Sequence, residues 1–487
     1  MPLMSADQYR ESLKQRKPLK IYLLGEEIKD PTEQPIIKAS INSVALTYEL
    51  AQDPRYHDLM TATSALSGIE INRFCHLHQS TEDLQKKVQM LRLLGQKTGT
   101  CFQRCVGMDA MNAVFLTTFE IDKKHGTKYH DRFINYVKLV EENDWVIDGC
   151  MTDAKGDRGK HPSQQRDPDV FVHVVERKPD GVVIRGAKAH QTGAVNSHEH
   201  LLMPTLTMRE DEKEFAICCA VPADAEGITY FYGRQSSDTR RLDATAEGSI
   251  DCGNPEYGGQ ECLIIFNDIF VPNDRIFMDG EIDFSNLLVE AFAGYHRQSY
   301  GGCKVGVGDV LIGAAAMIAE YNGVENASHI KEKITEMNHL NETLYACGMA
   351  CSACGTRTGA GNYLIDLLLA NVCKQNVTRF PFEIARLLQD IAGGLFVTCP
   401  SAKELANPET RKLVEKYLVG AEGTGAVNRI KMLRLIENLV LGRAAVGYLT
   451  ESMHGAGSPQ AQRIMINRLV NMDEKKRLAR SLAKIDE

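Results

Sequence analysis

The sequence has few of the features that mark nucleic-acid-binding, membrane or secreted proteins. Its 487 residues carry a net charge of −8, and no block of Lys and Arg stands out, which argues against a nucleic-acid surface. No apolar run reaches the length expected of a membrane span, and residues 1–20 are polar and lack the apolar core of a signal peptide. We therefore expect a cytoplasmic protein with neither a nucleic-acid nor a membrane partner.

Two common nucleotide-binding signatures are also missing. No Gly-rich dinucleotide fingerprint follows a predicted strand, and no phosphate-binding P-loop occurs. Strands that cluster without intervening helices further argue against a doubly wound fold.

Hydrophobic patterning divides the chain into three parts. With 43% hydrophobic residues, a chain of this length can bury more than one core. Residues 1–145 have helical periodicity and form a predicted N-terminal helical domain. Short β-rich runs fill residues 146–282, a predicted central antiparallel β domain, and residues 283–487 again have helical patterns typical of a bundle. The predicted fold class is α+β.

Fourteen cysteines without a secretion signal indicate free or metal-bound thiols rather than disulfides. Cys101 and Cys105 are four residues apart, which would place both thiols on one helical face. His296 and Cys303 are seven apart at the head of an apolar helical segment and would also share a face. Three thiols and one imidazole from two helices would suit an iron–sulfur cluster or zinc. The alternative is that these are buried structural cysteines.

A second cysteine run competes with that site. Cys347, Cys351 and Cys354 have the C-x3-C-x2-C spacing that some radical-forming enzymes use for a cluster. However, the run lies in an apolar helical region with no alternating strand–helix pattern to build a barrel around it. We interpret it as structural.

The three-part layout resembles the acyl-CoA dehydrogenase fold and its flavin-dependent 4-hydroxyphenylacetate hydroxylase relatives. Residues 151–157, 186–192 and 267–272 resemble the flavin loop, a Lys-containing strand and a strand end of those dehydrogenases. The closest resemblance, over nearly the full length, is to the 4-hydroxybutyryl-CoA dehydratase family. It is carried by residues 101–110, 155–159, 185–193, 258–261, 293–309 and 450–460.

That resemblance implies a lyase with vinylacetyl-CoA Δ-isomerase activity, acting on a CoA thioester by a radical mechanism with FAD and a [4Fe-4S] cluster. The implied cluster ligands are Cys101, Cys105, His296 and Cys303, the same four residues that the spacing groups. The neutral His296 ligand is predicted to exchange with the substrate hydroxyl and to act as a base.

Other roles are predicted around these ligands. Tyr300 would donate a proton or hydrogen bond to the departing hydroxyl, or be a core tyrosine. Glu261 and Glu451 are candidate acid/base carboxylates, and Lys304 would tune the charge. Predicted cofactor contacts are Met151, Thr152, Asp157, Arg158, Lys188, Gln191 and Thr192. Arg92 and Gln103 flank the cysteine pair and are predicted contacts too, with solvated helix surface as the alternative.

A Gln-x-x-x-Gly-Gly segment ending in Gly393 and Gly394 resembles one that reaches a neighbouring subunit's flavin in acyl-CoA dehydrogenases. It implies a homotetramer built as a dimer of dimers. Two other functions stay open. A flavin-dependent aromatic monooxygenase of the 4-hydroxyphenylacetate hydroxylase type would share the fold without needing the four ligands, and a plain acyl-CoA dehydrogenase would reduce an electron acceptor.

Overall fold

The computed structural model describes residues 3–243 and 248–485. The α-helices are α1 Ala6–Gln15, α2 Pro35–Gln52, α3 His57–Met60, α4 Thr81–Thr98, α5 Cys105–His125, α6 Tyr129–Asn143, α7 Gly248–Asp251, α8 Ile282–Tyr321, α9 Ser328–Ala353, α10 Leu367–Val377, α11 Phe380–Ala392, α12 Leu395–Thr398, α13 Ala402–Ala406, α14 Pro408–Tyr417, α15 Ala426–Val440, α16 Glu451–His454, α17 Pro459–Leu469 and α18 Met472–Ala483. The strands are β1 Lys20–Leu23, β2 Glu26–Ile28, β3 Thr61–Thr63, β4 Glu70–Asn72, β5 Ile147–Cys150, β6 His173–Lys178, β7 Gly181–Thr192, β8 Glu199–Leu202, β9 Ile217–Pro222, β10 Ile228–Tyr232, β11 Glu261–Pro272, β12 Ile276–Asp279, β13 Thr356–Arg357 and β14 Tyr363–Leu364.

Two sheets form the middle of the molecule. The larger has the order β2-β1-β10-β11-β7-β6 and the smaller the order β12-β9-β8-β5. Both are mixed, because β1 pairs with β10 and β5 pairs with β8 in parallel. The prediction of a purely antiparallel β region was therefore wrong. Each parallel partner arrives through a long connection, which the local strand pattern does not reveal.

The first 145 residues are not helical throughout, as their patterning had suggested. They contain four short strands, and two of these, β1 and β2, extend the six-stranded sheet. Ile21 and Leu23 of β1 alternate inward and are buried in the same core as β10 and β11. A four-residue strand is too short to produce a clear period-2 signal. The proposed domain boundaries at residues 145 and 282 stay predictions.

Helix α8 is the longest element and lies at the centre of the helical part. It runs unbroken for 40 residues and packs against α4, α5, α9, α10 and α11. By length and composition it could cross a membrane, contrary to our expectation that no run would, but 61% of its most apolar window is buried inside the protein. A helix that is apolar on all sides and covered by neighbours is typical of a protein core.

Glycines let α4 and α8 approach closely. A Cβ on Gly306 of α8 would lie 2.1 Å from the Arg92 carbonyl of α4, and one on Gly302 would lie 2.4 Å from the Val88 carbonyl. On the opposite side, a Cβ on Gly95 would lie 2.7 Å from the Cys303 carbonyl. The two backbones are in contact at Cys303, so the helix pair fixes where this residue lies.

Candidate functional site

A cavity of about 680 Å³ opens between the sheets and the helical bundle. Its walls come from the α4–α5 loop, the end of β7, the start of β11, the middle of α8 and the segment around α16. Just before α16, residues 446–450 form a π-helical turn, a feature that often occurs at functional sites. The cavity therefore collects side chains from parts of the chain that are far apart in sequence.

The four predicted cluster ligands, Cys101, Cys105, His296 and Cys303, all line this cavity. His296 and Cys303 lie two turns apart on α8, as the spacing predicted. The expectation that Cys101 and Cys105 share a helical face was wrong. Left-handed backbone at Gly99 ends α4, and Gln103 has a φ of 71°, so Cys101 is in a loop and α5 begins at Cys105.

The His296 ring is oriented by a buried carboxylate. Its Nδ1 lies 2.8 Å from Asp109 Oδ2, and the other oxygen of Asp109 accepts a hydrogen bond from Lys87 Nζ. Both Asp109 and Lys87 are fully buried, and Ser299 Oγ also donates to Asp109 at 3.0 Å. This arrangement places the proton on Nδ1 and leaves Nε2 free to bind a metal, as in many metal-binding histidines.

The donor set fits an iron–sulfur cluster. Burial raises the pKa of Cys303 to about 11, and burial also raises the pKa values of Cys101 and Cys105. Bound iron would displace the thiol protons, since the thiolate is the metal-binding form. Three sulfurs and one nitrogen match the ligand types of such clusters.

A smaller group of possible ligands lies elsewhere. Among the described residues, only Asp148, Cys150 and His200 have ligand atoms within 4.8 Å of one another, as a single ion requires. These atoms already bond to each other, and His200 Nε2 contacts Tyr230 Oη at 2.6 Å. We interpret this group as a buried hydrogen-bond network. Ligands of a four-iron cluster lie farther apart than those of one ion, so the absence of the other four residues from this group is expected.

Two carboxyl groups face each other in the cavity. Burial and the neighbouring Glu451 raise the pKa of Glu261 well above its usual range, and Thr192 Oγ1 donates to Glu261 at 2.8 Å. Glu451 instead accepts from Lys304 Nζ at 2.9 Å. The pKa of Lys304 is raised by Glu451 and the nearby cysteines, although burial opposes this. The two carboxyl groups therefore have different partners, a threonine hydroxyl for Glu261 and a lysine for Glu451.

Tyr300 lies between two lysines. Lys304 Nζ is 4.9 Å and Lys374 Nζ 4.2 Å from the centre of its ring. Lys374 is fully buried and donates to the Glu451 and Ser452 carbonyls at 3.2 and 2.6 Å. It thus ties α10 to the segment that carries Glu451. Space beside Tyr300 is tight, since a Cβ on Gly455 would lie 1.9 Å from its hydroxyl.

The sheet side of the cavity contains five of the predicted cofactor contacts, Met151, Thr152, Arg158, Gln191 and Thr192. Gln191 Nε2 donates to the Thr152 carbonyl at 3.1 Å and so joins β7 to the segment that follows β5.

The other six predicted contacts do not line the cavity, namely Arg92, Gln103, Asp157, Lys188, Gly393 and Gly394. Arg92 pairs with Asp309 and Glu342 at the α4–α8–α9 contact. Gln103 Nε2 donates to the Ser40 and Gly258 carbonyls. The polar groups of these two side chains bind to other parts of the protein through ion pairs and hydrogen bonds. The sequence could not reveal these contacts, because every partner is distant in the chain.

Lys188 and Asp157 both lie outside the cavity, in different surroundings. Lys188 Nζ is bonded beneath it to Asp153 and the Met151 and Met203 carbonyls, each at 2.8 Å. Asp157 is exposed and accepts from the Gly159 amide. Gly393 and Gly394 follow α11 and are exposed, so their predicted role depends on a neighbouring subunit.

The competing cysteine run does not reach the cavity. Cys347 and Cys351 lie on α9 and Cys354 caps its end, with exposure rising from buried Cys351 to exposed Cys354. Cys351 Sγ donates to the Gly348 carbonyl at 3.1 Å. This placement supports the structural interpretation of the run.

Several residues of the site were missed from sequence. Asp109 and Lys374 were not singled out, and neither were the basic side chains Lys155, His190 and His454 that line the outer part of the cavity. Asp109 follows Cys105 by one helical turn within a stretch that carries the family resemblance. That spacing was the one signal available for it.

Two known families together match nearly the full length of the chain. The 4-hydroxyphenylacetate 3-hydroxylase N-terminal family matches residues 5–278 and the corresponding C-terminal family matches residues 285–484. The 4-hydroxybutyryl-CoA dehydratase/vinylacetyl-CoA-Δ-isomerase of Clostridium aminobutyricum is 59% identical over 99% of this chain and 100% of that protein.

Solved structures of the same two families have the same fold as this chain. An oxygen-tolerant archaeal 4-hydroxybutyryl-CoA dehydratase from N. maritimus has a TM-score of 0.97 and 57% identity, covering 100% of this chain and 96% of that chain. The oxygenase component of 4-hydroxyphenylacetate 3-monooxygenase, complexed with FAD, has a TM-score of 0.86 at 22% identity, covering 99% and 98%. The predicted likeness to acyl-CoA dehydrogenases is weaker, with a TM-score of 0.50 and 11% identity to a glutaryl-coenzyme A dehydrogenase, covering 81% of each chain.

The fold is thus that of the 4-hydroxyphenylacetate hydroxylases, and the full-length identity is far higher to one branch than to the monooxygenases. The chain belongs to the 4-hydroxyphenylacetate 3-hydroxylase family and, within it, to the 4-hydroxybutyryl-CoA dehydratase/vinylacetyl-CoA-Δ-isomerase family.

Proposed function

We propose that this chain is a lyase that dehydrates 4-hydroxybutyryl-CoA to crotonyl-CoA and also isomerises vinylacetyl-CoA. The observation that carries the proposal is the meeting of Cys101, Cys105, His296 and Cys303 in one cavity, in a chain 59% identical to an enzyme of that name. A monooxygenase of the same fold would have no use for this ligand set.

The proposed cofactors are FAD and a [4Fe-4S] cluster. The three thiols and His296 Nε2 would hold the cluster, while Met151, Thr152, Arg158, Gln191 and Thr192 would contact the flavin. When bound, the flavin supplies one-electron exchange and the cluster a Lewis-acidic iron. A relative of the same fold is complexed with FAD, which supports the flavin part of this proposal.

The reaction asks the protein to move several protons. The C4 hydroxyl leaves while C2 and C3 each lose a proton, and C4 gains one in crotonyl-CoA, so the net loss is one water. The C3 proton is not acidic in the ground state. The protein therefore needs at least one base and one acid in a cavity that excludes bulk water.

Glu451 and Glu261 suit the two opposite roles. Lys304 Nζ holds the Glu451 carboxyl group in place at 2.9 Å, and we assign Glu451 as the base that accepts the C2 proton. Burial and the neighbouring Glu451 keep a proton on Glu261, which suits an acid. Environments that push two neighbouring carboxyl groups apart in pKa commonly mark such a division.

His296 and Tyr300 lie one helical turn apart, with ring centres 5.0 Å apart. Because Nδ1 of His296 donates to Asp109, its Nε2 can either bind iron or hold a proton from C3. The Tyr300 hydroxyl reaches the same cavity and would donate a hydrogen bond to the departing C4 hydroxyl. Lys304, whose Nζ is 4.9 Å from the centre of the Tyr300 ring, would stabilise negative charge that develops on the Tyr300 oxygen.

We propose further that the enzyme is a homotetramer arranged as a dimer of dimers. Exposed Gly393 and Gly394 follow α11 outside the cavity, where they are free to reach a neighbouring subunit's flavin. The net charge of −8 and the mostly buried apolar helix α8 are consistent with an enzyme that works without a membrane or nucleic-acid partner.

The test is anaerobic incubation of the purified protein with 4-hydroxybutyryl-CoA, with crotonyl-CoA followed by mass spectrometry and iron and sulfide measured in parallel. We expect turnover, about four irons per chain, and no consumption of an external electron acceptor. Failure to form crotonyl-CoA in iron- and flavin-loaded protein would refute the dehydratase assignment.

Two variants separate the ligand site from ordinary cysteines. Cys303→Ala should lose iron and activity, whereas Cys354→Ala, at an exposed cysteine outside the cavity, should keep both. His296→Cys should retain a cluster but abolish turnover, because a thiolate cannot replace the exchangeable neutral ligand. Retained dehydration in His296→Cys would rule out the role given to His296.

The monooxygenase alternative has its own control. Protein supplied with reduced flavin, oxygen and 4-hydroxyphenylacetate should form no hydroxylated product. Hydroxylation at a rate comparable with dehydration would favour that second function instead.

A further inference from the structure

Two buried basic side chains lie behind the cavity and have no carboxylate partner. Lys374 of α10 is fully buried, Arg297 of α8 is 5% exposed, and neither lines the cavity. Among the described residues, neither side chain forms an ion pair. A carboxylate whose charge does act on Arg297, Glu290, is already bonded to Arg468 at 2.6 Å. Because a buried cation without a counter-ion is costly, the groups that these two side chains do bind are informative.

Both side chains donate to one stretch of backbone, residues 446–457, which we call the α16 segment. Lys374 Nζ donates to two carbonyls of α16 at 3.2 and 2.6 Å. Arg297 Nε donates to the Ala456 carbonyl at 3.0 Å, and its Nη1 donates to Asn371 Oδ1 at 2.9 Å. Asn371 also lies on α10, so the two basic side chains join α8, α10 and the α16 segment.

The α16 segment has little regular structure of its own. It begins with a π-helical turn, α16 has only four residues, and Ala456 has left-handed backbone with a φ of 54°. Such departures from regular backbone are concentrated at functional sites. The position of the segment therefore depends on the contacts that α8 and α10 make with it.

Two groups in the cavity depend on that position. Glu451 belongs to the α16 segment, and its side chain accepts a hydrogen bond from Lys304 Nζ at 2.9 Å. Gly455 lies against Tyr300, since a Cβ on this glycine would be 1.9 Å from the tyrosine hydroxyl. A shift of the segment towards Tyr300 would produce a collision, and a shift in the opposite direction would move the Glu451 carboxyl group out of the cavity.

We propose that Lys374 and Arg297 are positioning residues, which hold the carboxyl group of Glu451 where it can accept the C2 proton of the thioester. This inference rests on the proposed function, because Glu451 is the base in that reaction. Neither basic side chain lines the cavity, so each acts on the substrate only through the backbone of the α16 segment. Misplacing a catalytic group by about 1 Å can slow a reaction about 100-fold.

The test measures removal of the C2 proton separately from dehydration. Butyryl-CoA has no C4 hydroxyl and cannot lose water, but its C2 proton can pass to Glu451 and be replaced by a deuteron from heavy water. Deuterium uptake by butyryl-CoA is followed by mass spectrometry on the anaerobic holoenzyme. Increasing concentrations of butyryl-CoA give a maximal rate and an apparent KM, and the iron and flavin contents of each variant are measured in parallel.

The variants are Lys374→Gln, Arg297→Gln and Arg297→Lys, the last of which retains a donor for the backbone carbonyl. Arg429→Gln is the matched control. Arg429 likewise donates to an asparagine side chain at 2.6 Å and to backbone carbonyls at 3.2 and 3.4 Å, but it lies on α15 and does not line the cavity. An effect that comes only from lost stability should therefore appear in the control as well.

Lys374→Gln and Arg297→Gln should each lower the maximal rate of deuterium uptake about 10- to 100-fold, with little change in the apparent KM and with iron retained. Arg297→Lys should recover part of the rate, and Arg429→Gln should keep the wild-type rate. An unchanged rate in either of the first two variants would overturn the proposal. So would a rise in KM as large as the fall in rate, or an equal loss of rate in Arg429→Gln. If Lys374→Gln does not fold, the two Arg297 variants decide the question by the same criteria.

These outcomes are distinct from a failure of the dehydratase assignment. Wild-type protein that exchanges the C2 proton of butyryl-CoA but forms no crotonyl-CoA from 4-hydroxybutyryl-CoA would refute the proposed reaction and leave the positioning role intact. Wild-type turnover, together with normal exchange in the Lys374 and Arg297 variants, would refute only the positioning role.

Discussion

At the scale of single residues, the His296–Asp109–Lys87 chain is the most consequential arrangement in the site. Asp109 bonds to the imidazole at 2.8 Å and to a buried lysine that has no other carboxylate partner among the described residues. Second-layer partners of this kind typically change metal affinity or activity by 10- to 100-fold when removed. We therefore treat Asp109 as the residue that positions His296.

Replacing this carboxylate gives the first prediction. We expect Asp109→Asn to lower iron content and dehydration rate about 10- to 100-fold, because an amide can no longer fix the proton on Nδ1. The free energy of unfolding of the variant should also fall by about 3–5 kcal/mol, since Lys87 would be left as an unpaired buried charge. Iron analysis, turnover and urea denaturation measure the three effects.

Ser299→Ala is the graded control for Asp109→Asn. It removes only a hydroxyl that donates to the same carboxylate at 3.0 Å. The free energy of unfolding should therefore fall by about 1 kcal/mol, and iron should be retained. An Asp109→Asn protein with full iron and wild-type turnover would show that His296 needs no such partner.

A second residue-scale prediction concerns pH. Burial of Glu199 on β8 raises its pKa to about 7, although Arg275 at 2.5 Å opposes this. The folded state thus holds a proton that the unfolded chain releases above its usual pKa of about 4.5. The stability that this proton adds is fully present below about pH 4.5 and is lost as the pH rises through about 7. Over that range the free energy of unfolding falls by at most about 1.4 kcal/mol per pH unit.

Glu199→Gln should therefore gain stability relative to the wild type as pH rises from 5 to 8, because the amide stays neutral. Urea denaturation at each pH measures the difference. Glu226→Gln, at an exposed position between β9 and β10, is the control, and its free energy of unfolding should depend on pH in the same way as that of the wild type. Parallel stability curves for Glu199→Gln and wild type would contradict the expected proton uptake.

Sequence reasoning reached some of these residues and not others for a physical reason. Spacing along one helix correctly paired His296 with Cys303, because helix geometry is local. The same reasoning failed for Cys101, since Gly99 and Gln103 adopt left-handed backbone that ends the helix first. Asp109 and Lys374 act through contacts with distant elements, which no single stretch of sequence records.

At the scale of elements, the contact between α4 and α8 fixes the position of Cys303. Gly302 and Gly306 of α8 face carbonyl groups of α4 at distances that leave no room for a side chain. Alanine at either position would push the helices apart by a fraction of an ångström or more. The sulfur of Cys303 would move with α8, while Cys101 stayed with the α4–α5 loop and Cys105 with the start of α5.

We accordingly expect Gly306→Ala to destabilise the protein by about 3 kcal/mol, as overpacking does, and to lower its iron content. The matched control is Gly313→Ala on the same helix, where a Cβ would meet nothing within 4 Å. That change should be neutral or stabilising by up to about 1 kcal/mol, because alanine favours helix. Thermal unfolding and iron analysis of both variants measure the contrast, and equal effects would refute the close-packing argument.

The elements themselves were predicted unevenly. The apolar helical segment predicted to begin around His296 and Cys303 is confirmed as part of α8. Strands β6 and β7 form a hairpin through Pro179 and Asp180, residue types that are typical of turns. Strands β1 and β2 were missed because each has only three or four residues. The parallel pairs β1–β10 and β5–β8 join segments far apart in the chain, and pairing of that kind is decided by tertiary packing rather than by local propensity.

At the scale of the whole molecule, exposed apolar side chains are unevenly distributed. In the part of the chain that the structure describes, eleven of the nineteen exposed large hydrophobic residues lie between residues 382 and 485, and Val397 on α12 is 74% exposed. Gly393 and Gly394 lie within that range, four and three residues before Val397. Apolar exposure concentrated in one region favours a protein contact there, and the sequence could suggest such a contact only through the resemblance of residues 389–394 to acyl-CoA dehydrogenases.

Assembly gives the last prediction. Wild-type protein should have a mass in light scattering of four times the 54.1 kDa chain, and Val397→Glu should lower it, because a buried, unpaired carboxylate opposes the contact. If Gly393 and Gly394 reach a neighbouring flavin, the dissociated variant should also release FAD while keeping its iron, since the cluster ligands all lie within one chain. Leu24→Glu, at a 48% exposed position beside the β1–β2 turn, is the control and should remain tetrameric. A Val397→Glu tetramer with all of its flavin would place the subunit contact elsewhere on the molecule.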